Sequence, residues 1–146
     1  MTPEERQAFL AETRVGIISI PEEGRGPLTI PVWYNYQPGG DICIWTSEKS
    51  RKVKLLGKAK RISFCVQDTT PPAYKYVSVE GPFSIEAVDL EREIHPMALR
   101  YYGPVGGERY FEDVSKGEDW KTNILIRIKP ERWLTVDYSK MDPEPK

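Results

Sequence analysis

Histidine and cysteine are scarce in this sequence, which contains one histidine, His95, and two cysteines, Cys43 and Cys65. These residues form no CxxC, HxxxH or HExxH spacing, so a zinc site is not expected. Nucleophilic catalysis of the Ser-His-Asp or Cys-His type would depend on His95, which lies in a predicted helix and which nothing else marks as a base. If the protein catalyses a reaction, we therefore expect a bound cofactor to carry the chemistry.

Long apolar runs are also missing. No stretch approaches the ~18 consecutive apolar residues of a membrane-spanning helix, and residues 1–14 are rich in charge. Together these features predict a soluble cytoplasmic protein that does not enter a membrane. Both cysteines lie in apolar, strand-like runs, "ICIW" and "ISFCV", where reduced and buried thiols are expected.

An overall excess of positive charge is absent, because the net charge is -1 and the pI is about 5.9. A protein that grips many nucleic-acid phosphates usually carries a general basic excess, so neither nucleic-acid binding nor an oligonucleotide-binding barrel is expected. The chain of 146 residues is long enough to bury one core without a disulfide or a metal. We predict a single domain at 1–138 and a disordered tail at 139–146.

Strands dominate the predicted secondary structure. A capping box at Thr2-Pro3-Glu4-Glu5 begins a short helix that ends near Glu12. Further helices are expected after Ser50 and at 89–102, where Gly103 would end the helix. Strands are predicted at 15–20, 28–37, 42–47, 61–67, 74–88 and 123–138, with interruptions at Gly81-Pro82 and Pro130. Antiparallel strands with few helices and one curling bend predict a closed or nearly closed β-barrel.

Positive charge is concentrated in one short stretch that contains no acid. Its members are Lys49, Arg51, Lys52, Lys54, Lys58, Lys60 and Arg61. Cations in the first turn of a helix oppose the helix dipole, and their presence there makes sense if they bind an anion. Arg51, Lys52 and the hydroxyls of Thr46, Ser47 and Ser50 could converge on one phosphate. The alternative is a solvated basic face, to which we assign Lys58 and Lys60.

The order of these segments resembles a known family. The segments are "VGIISI", "LTIPVWYNYQ", "ICIWTSEKSRKVKLL", "RISFCVQ", "YVSVEGPFSIE" and "RYYGPVGGERY". They are similar to the pyridoxamine-phosphate-oxidase-like split β-barrel proteins, which include flavin- and deazaflavin-dependent oxidoreductases, and the resemblance covers roughly residues 5 to 137. It implies a mainly β fold with flanking helices, namely a six-stranded antiparallel split barrel. It also implies a homodimer with the cofactor at the subunit interface.

The resemblance and the charge pattern together define a set of cofactor-binding residues. They are Ile30, Pro31, Val32 and Trp33 at the cofactor ring, Trp45, Thr46, Ser47 and Ser50 near the next strand end, Arg51 and Lys52 at the phosphate, and Lys75 and Tyr76 before Gly81. For both tryptophans the alternative is packing against neighbouring side chains, which is also the expectation for Tyr101 and Tyr102. The implied cofactor is FMN or, alternatively, the deazaflavin coenzyme F-420, whose acidic tail could use Lys49 and Lys54.

Two departures from the family pattern limit the implied activity. Pyridoxamine-phosphate oxidases have an arginine where this chain has Leu28, and an Arg-x-His near the C-terminus that "ERWLTVDYSK" lacks. Oxidation of vitamin B6 is therefore not expected. The remaining prediction is an oxidoreductase that transfers hydride between the bound cofactor and a small conjugated substrate, with no catalytic acid or base of its own. A cofactor-binding module that stores or senses the cofactor is the alternative.

Overall fold

Antiparallel strands dominate the computed structural model, which describes residues 1–71 and 74–141. The strands are β1 (Gly16–Ile20), β2 (Leu28–Val32), β3 (Asn35–Tyr36), β4 (Ile42–Ser47), β5 (Ile62–Asp68), β6 (Lys75–Gly81), β7 (Phe83–Ala87), β8 (Asn123–Ile128) and β9 (Arg132–Asp137). The helices are α1 (Pro3–Ala11), α2 (Arg51–Leu56) and α3 (His95–Lys116), with a π-helical segment at Leu90–Ile94 and 3-10 turns at Asp119–Thr122 and Tyr138–Lys140. The predicted class, mainly β with flanking helices, is confirmed.

These strands form two antiparallel sheets. Within the described ranges one sheet has the order β2-β1-β5-β6-β9, and the other has the order β3-β4-β8-β7. Three pairs of consecutive strands, β2 with β3, β6 with β7 and β8 with β9, are halves of bent strands that pass from one sheet to the other. With each bent strand counted once, six strands pair in a closed circuit around one core. This arrangement confirms the six-stranded split barrel.

Alternation along the strands decides which side chains reach the core. In β1 every second residue is buried. The same alternation runs from β2 to the end of β3: Thr29 and Pro31 of β2 are exposed, whereas Tyr34, between the strands, and Tyr36 of β3 are buried. Pro31 is tolerated because β2 is an edge strand, where the missing N–H disrupts no ladder. The two predicted faces of segment 28–37 are therefore confirmed.

The barrel curls where two bent strands pack on each other. The Lys129 N–H donates to the Pro82 carbonyl at 2.9 Å, and the Glu131 N–H donates to the Glu80 carbonyl at 3.0 Å. Between them lies Gly81, where an added Cβ would stand well inside van der Waals contact with the Lys129 carbonyl oxygen. A glycine is thus required for the backbones to approach, which explains the bend predicted at Gly81.

Helix α1 is fastened to the barrel at both ends. The predicted capping box is present, since the Glu5 N–H donates to the Thr2 hydroxyl and the Thr2 N–H donates to the Glu5 carboxylate. At the other end the Arg100 guanidinium donates to the carbonyls of Leu10, Ala11 and Glu12 at 2.9, 3.0 and 2.7 Å. These carbonyls have no partner within the helix, so Arg100 satisfies them and joins α1 to α3.

Helix α3 is broken at Gly103, the position at which the sequence predicts a helix end. Gly103 has φ 78°, a conformation that favours glycine, and the second half of α3 folds back on the first. Gly107 packs so closely that an added Cβ would lie 2.7 Å from the Leu99 Cα. The predicted amphipathic piece after Gly103 therefore forms the second half of this helix.

His95 joins the two halves of α3 and makes their contact dependent on pH. Its Nε2 lies 2.9 Å from the Glu108 carboxylate, its Nδ1 lies 3.5 Å from that of Glu91, and its ring stacks on Phe111. The hydrogen bond to Glu108 raises the pKa of His95 above its ordinary value of 6.5. The resulting stabilisation is complete below about pH 6.5 and is lost as the pH rises through the raised pKa of the folded state.

We therefore expect wild-type protein to lose unfolding free energy relative to His95→Gln as the pH rises from about 6 to 8.5, because only the wild type loses a proton from this contact. Urea unfolding at a series of pH values measures the difference. Parallel pH profiles for the two proteins would contradict the expectation.

Three smaller features differ from the sequence expectations or lie outside the described residues. Ser139 and Lys140, placed in the predicted tail, belong to a 3-10 turn, and the Lys140 ammonium lies 2.6 Å from the Glu5 carboxylate. Met141 of that tail is exposed, and 142–146 lie outside the described residues. Cys43 and Cys65 are free but only half-buried, because they point to the outer faces of their strands.

Across the described ranges, no helix has the length and apolar character needed to cross a membrane.

Candidate functional site

Five of the twelve predicted cofactor-binding residues line one cleft of about 160 Å³. They are Val32, Trp33, Trp45, Thr46 and Lys52. The cleft forms because β2 ends at Val32 where the chain bends towards β3, and β3 pairs with β4, whose far end carries Trp45 and Thr46. Helix α2 follows directly and adds Lys52. The local sequence order of a strand end and a helix start therefore places these groups together.

The turn between β4 and α2 carries the two predicted serines. The Ser47 carbonyl accepts from the Ser50 N–H at 3.0 Å, and the Ser47 hydroxyl accepts from the Lys49 N–H at 3.3 Å. Ser50 occupies the cap position of α2, but its side chain makes no capping bond. Its hydroxyl oxygen is buried and has no hydrogen-bond partner among the described residues. A buried hydroxyl without a partner is uncommon in folded proteins, so Ser50 retains an unused hydrogen-bonding group beside the start of α2.

The two predicted phosphate-binding cations have different surroundings. Arg51 is exposed, and its Nη2 donates to both carboxylate oxygens of Glu22 at 2.8 and 2.9 Å. Lys52 is half-buried, lines the cleft and forms no ion pair with any residue that the structure describes. Lys52 can therefore meet an anion directly, whereas Arg51 would have to leave Glu22 or keep it as a shared partner.

The two tryptophans border the cleft in different ways. Trp33 is 38% exposed, and its indole stacks on the Tyr101 ring with a centroid separation of 4.5 Å and an angle of 1°. Trp45 packs against the apolar cluster of Val88, Ile94 and Leu125. Its indole Nε1 is buried with no acceptor among the described residues. Packing thus accounts for most of Trp45, while Trp33 packs through one face and remains partly open to solvent.

Ile30 and Pro31 precede the cleft on β2 and do not line it. Ile30 faces the core opposite Ile18, and Pro31 is exposed on the outer face. Because β2 is an edge strand, one side of its backbone is not paired with a neighbouring strand. Contact between this strand and a cofactor would therefore involve the backbone more readily than these two side chains.

Lys75 and Tyr76 lie away from the cleft of the same chain. They begin β6, three strands from β2 in the five-stranded sheet, a separation of about 14 Å at the usual strand spacing. The Lys75 ammonium lies 3.5 Å from the Asp137 carboxylate. The pKa of Asp137 is lowered, chiefly by a hydrogen bond from Ser139 and to a smaller degree by Lys75. Tyr76 points to the outer face of the sheet, opposite to Lys75, since neighbouring residues of a strand alternate.

Ile44 and Met97 also line the cleft but were not predicted from the sequence. Ile44 belongs to the core face of β4, and Met97 comes from α3, which is distant in the chain. No spacing rule could have placed Met97 there. The described lining contains no carboxylate, imidazole or thiol, so the cleft can bind and orient a ligand but offers only a hydroxyl and an ammonium as polar side chains other than the Trp33 and Trp45 indoles.

Several solved structures share this fold. A conserved hypothetical protein of Mycobacterium tuberculosis is 24% identical with a TM-score of 0.78, over 94% of this chain and 86% of that one. An F420 reductase is 17% identical with a TM-score of 0.69, over 88% of this chain and 94% of that one. A heme storage protein of Vibrio cholerae is 17% identical with a TM-score of 0.64, over 90% and 92%. At these identities the likeness shows the fold.

Two further comparisons concern sequence. No functionally curated protein matches the chain. A family model described as pyridoxamine 5'-phosphate oxidase matches residues 2–133, which include every residue that lines the cleft. The match covers most of the chain and confirms the resemblance seen in the strand and helix motifs. The chain therefore belongs to the pyridoxamine 5'-phosphate oxidase family.

Proposed function

We propose that this protein is an oxidoreductase that uses FMN or the deazaflavin coenzyme F-420 to transfer hydride to or from a small conjugated substrate. The observation that carries the proposal is the position of Lys52, a half-buried cation without an ion-pair partner among the described residues, in a cleft with Trp33 and Thr46. Family membership and a fold shared with an F420 reductase support it.

The residues around the cleft fit a cofactor that carries a phosphate. Lys52 supplies a charge, Thr46 and Ser50 supply hydroxyls, and Arg51 stands one position before Lys52. The unpartnered Ser50 hydroxyl is a donor whose burial is offset only when it finds an acceptor, and a phosphate oxygen is a strong one. These groups would hold the phosphate end of the cofactor.

The apolar side of the cleft fits a flat ring. Val32, Trp33 and Met97 form this side, and the free edge of β2 offers backbone groups that could bond the polar edge of a ring. The cofactor, when bound, supplies the hydride chemistry. The chain itself would hold the ring against Trp33, orient it and exclude water, which requires no acid or base from the protein.

The experiment that tests the proposal identifies the bound molecule. Mass spectrometry of any small molecule that copurifies, followed by titration of the protein with FMN and with coenzyme F-420, is expected to show a dissociation constant in the micromolar range or below for one of them. Inorganic phosphate is expected to compete weakly for the same site. Absence of binding for both cofactors would overturn the proposal.

A cofactor store or sensor is the second candidate, because the described lining of the cleft provides no acid or base and because a heme storage protein has the same fold. The two candidates differ in turnover. For an oxidoreductase, a panel of conjugated acceptors is expected to include at least one that reoxidises the reduced, protein-bound cofactor faster than air does. For a store, every acceptor would be slower than air.

A homodimer is the assembly that we propose, and the outer face of the five-stranded sheet supports it. A row of uncharged side chains crosses this face in register. The row consists of Pro31, Ile17, Cys65, Ser78 and Leu134. Leu134 is 61% exposed at one end of this uncharged row. A second copy of the chain would cover it.

The same packing would complete the cofactor site. Strand β5 is the middle strand of the sheet. With a two-fold axis parallel to β5 and above the outer face, β1 of one subunit would face β6 of its partner, and β2 would face β9. Tyr76 is in register with Gln67, next to the row in which Val66, Gly16 and Val32 are aligned, and thus lies at the same end of the sheet as the cleft. Tyr76 of the partner subunit would then approach the cleft from the outer face of the sheet. Lys75 would stay on the opposite face, between β6 and α1, with Asp137.

Leu134→Lys is expected to yield a monomer with weaker cofactor binding, because a charge on a surface that the second copy covers is costly to bury. Val105→Lys is a matched control, since Val105 is 73% exposed but belongs to α3. Sedimentation equilibrium measures the oligomeric state of both variants. A wild-type monomer would exclude the homodimer, and a dimeric Leu134→Lys protein would place the interface elsewhere.

A further inference from the structure

We infer that Tyr101 is a positioning residue for the cofactor cleft, acting through Trp33 and the bend between β2 and β3. The inference rests on the proposed function, because it assigns a role in cofactor binding to a side chain outside the cleft. Tyr101 lies in the first half of α3, and the cleft is lined by its stacking partner Trp33 but not by Tyr101 itself.

The Tyr101 hydroxyl joins three parts of the chain. It accepts a hydrogen bond from the Tyr34 N–H at 3.0 Å and donates one to the Arg14 carbonyl at 2.7 Å. Tyr34 is fully buried and stands between β2 and β3, where the chain leaves one sheet and enters the other. A residue at such a crossing has no neighbouring strand to pair with, so the hydroxyl takes the place of the missing ladder partner.

The Tyr101 ring supports Trp33 from behind. The two rings are parallel within 1° at 4.5 Å, and Tyr102 contacts Trp33 edge-on at 5.2 Å. An indole that is 38% exposed would otherwise have room to change rotamer. Because the Tyr101 hydroxyl is bonded at both sides, its ring has one orientation, and the stacked indole acquires a fixed one.

Together the ring and the hydroxyl fix the cleft wall that faces Lys52. The hydroxyl holds the backbone immediately after Trp33, and the ring holds the indole. Both contacts come from α3, which is also tied to α1 through Arg100. The wall formed by Val32 and Trp33 is therefore positioned by side chains of α3 that do not line the cleft, and the site is prepared before a cofactor enters.

Tyr101→Phe tests the hydroxyl and Tyr101→Leu tests the ring. Tyr101→Phe is expected to weaken binding of the preferred cofactor about tenfold, because it removes the hydroxyl's hydrogen bonds with the Tyr34 N–H and the Arg14 carbonyl and thereby loosens the bend. Tyr102→Phe is the matched control, because no described group bonds the Tyr102 hydroxyl, and it is expected to change binding less than about twofold. In a double-mutant cycle with Trp33→Leu, the Tyr101→Leu effect on binding is expected to be non-additive.

A second readout uses the protein without cofactor. The emission of Trp33 is the part of the tryptophan fluorescence that disappears on Trp33→Phe. Quenching of this part by acrylamide reports on the mobility of the Trp33 indole. Tyr101→Leu is expected to increase that quenching about twofold or more. If neither cofactor binds to wild type but this quenching rises, the proposed function fails while the positioning of Trp33 holds. If a cofactor binds wild type and Tyr101→Phe equally well, or if the two changes in the cycle are additive, the inference about Tyr101 is overturned while the function stands.

Discussion

Replacement of Lys52 by methionine is expected to weaken binding of FMN or coenzyme F-420 by about 100-fold. A half-buried ammonium that meets a phosphate makes a charge-assisted contact worth about 1.5 to 3 kcal/mol. The estimate lies at the upper end because Lys52 has no ion-pair partner to leave among the described residues. Methionine retains an unbranched side chain, so the change removes the charge with little loss of packing. Fluorescence titration with each cofactor measures the effect.

Arg51 and Lys58 provide the comparison that makes this result specific. Arg51→Met is expected to weaken binding only about fivefold, since the Arg51 guanidinium is bonded to Glu22 and largely exposed. Lys58→Met removes an exposed cation just beyond the same helix and is expected to leave affinity unchanged. An unchanged affinity for Lys52→Met would show that the phosphate is held elsewhere. Equal losses for all three would indicate a general attraction to basic charge.

Gly81→Ala is expected to lower the free energy of unfolding by about 3 kcal/mol, the upper end of the usual cost of overpacking. The added methyl group would press against the Lys129 carbonyl, which belongs to backbone and cannot rotate away. Relief would require the two bent strands to separate, with loss of the hydrogen bonds from Lys129 to Pro82 and from Glu131 to Glu80. Urea unfolding monitored by tryptophan fluorescence measures the change.

Gly26→Ala is the control for the same substitution at an unhindered position. Apart from its two chain neighbours, no described residue has an atom within 4 Å of a Cβ built on Gly26, which is exposed in the loop between β1 and β2. Its effect is expected to stay within about 0.5 kcal/mol, since a glycine with an ordinary backbone conformation tolerates alanine. If Gly81→Ala were equally mild, the contact between the two bends would be looser than the backbone distances indicate.

Much of the barrel was predictable because its signals are local. The alternation of buried and exposed residues in 28–37 depends only on the two-residue repeat of a strand, and the capping box at Thr2 depends on four consecutive residues. Gly81 and Pro130 marked the bends because each disturbs a strand by its own chemistry. The pairing of these two bends was not predictable, since it brings together residues that are far apart in the chain.

The candidate site divides in the same way. Thr46, Ser50 and Lys52 were identified from one short stretch, because a strand end followed by a helix start places neighbours in sequence close together in space. The ion pair of Arg51 with Glu22 and the stacking of Trp33 on Tyr101 could not be predicted from the sequence. They depend on how a loop and α3 fold back on the barrel.

By itself the sequence determined the class of the fold, the family and the charged turn at 46–52, because hydrophobic period, capping and local charge act between near neighbours. The tertiary structure alone decided which of the predicted residues share a cleft. It placed Lys75 and Tyr76 on β6, three positions from β2 in the five-stranded sheet, and brought Met97 to the cleft from a distant helix. The order of strands and the packing of helices follow from burying one common core, which no short stretch of sequence encodes.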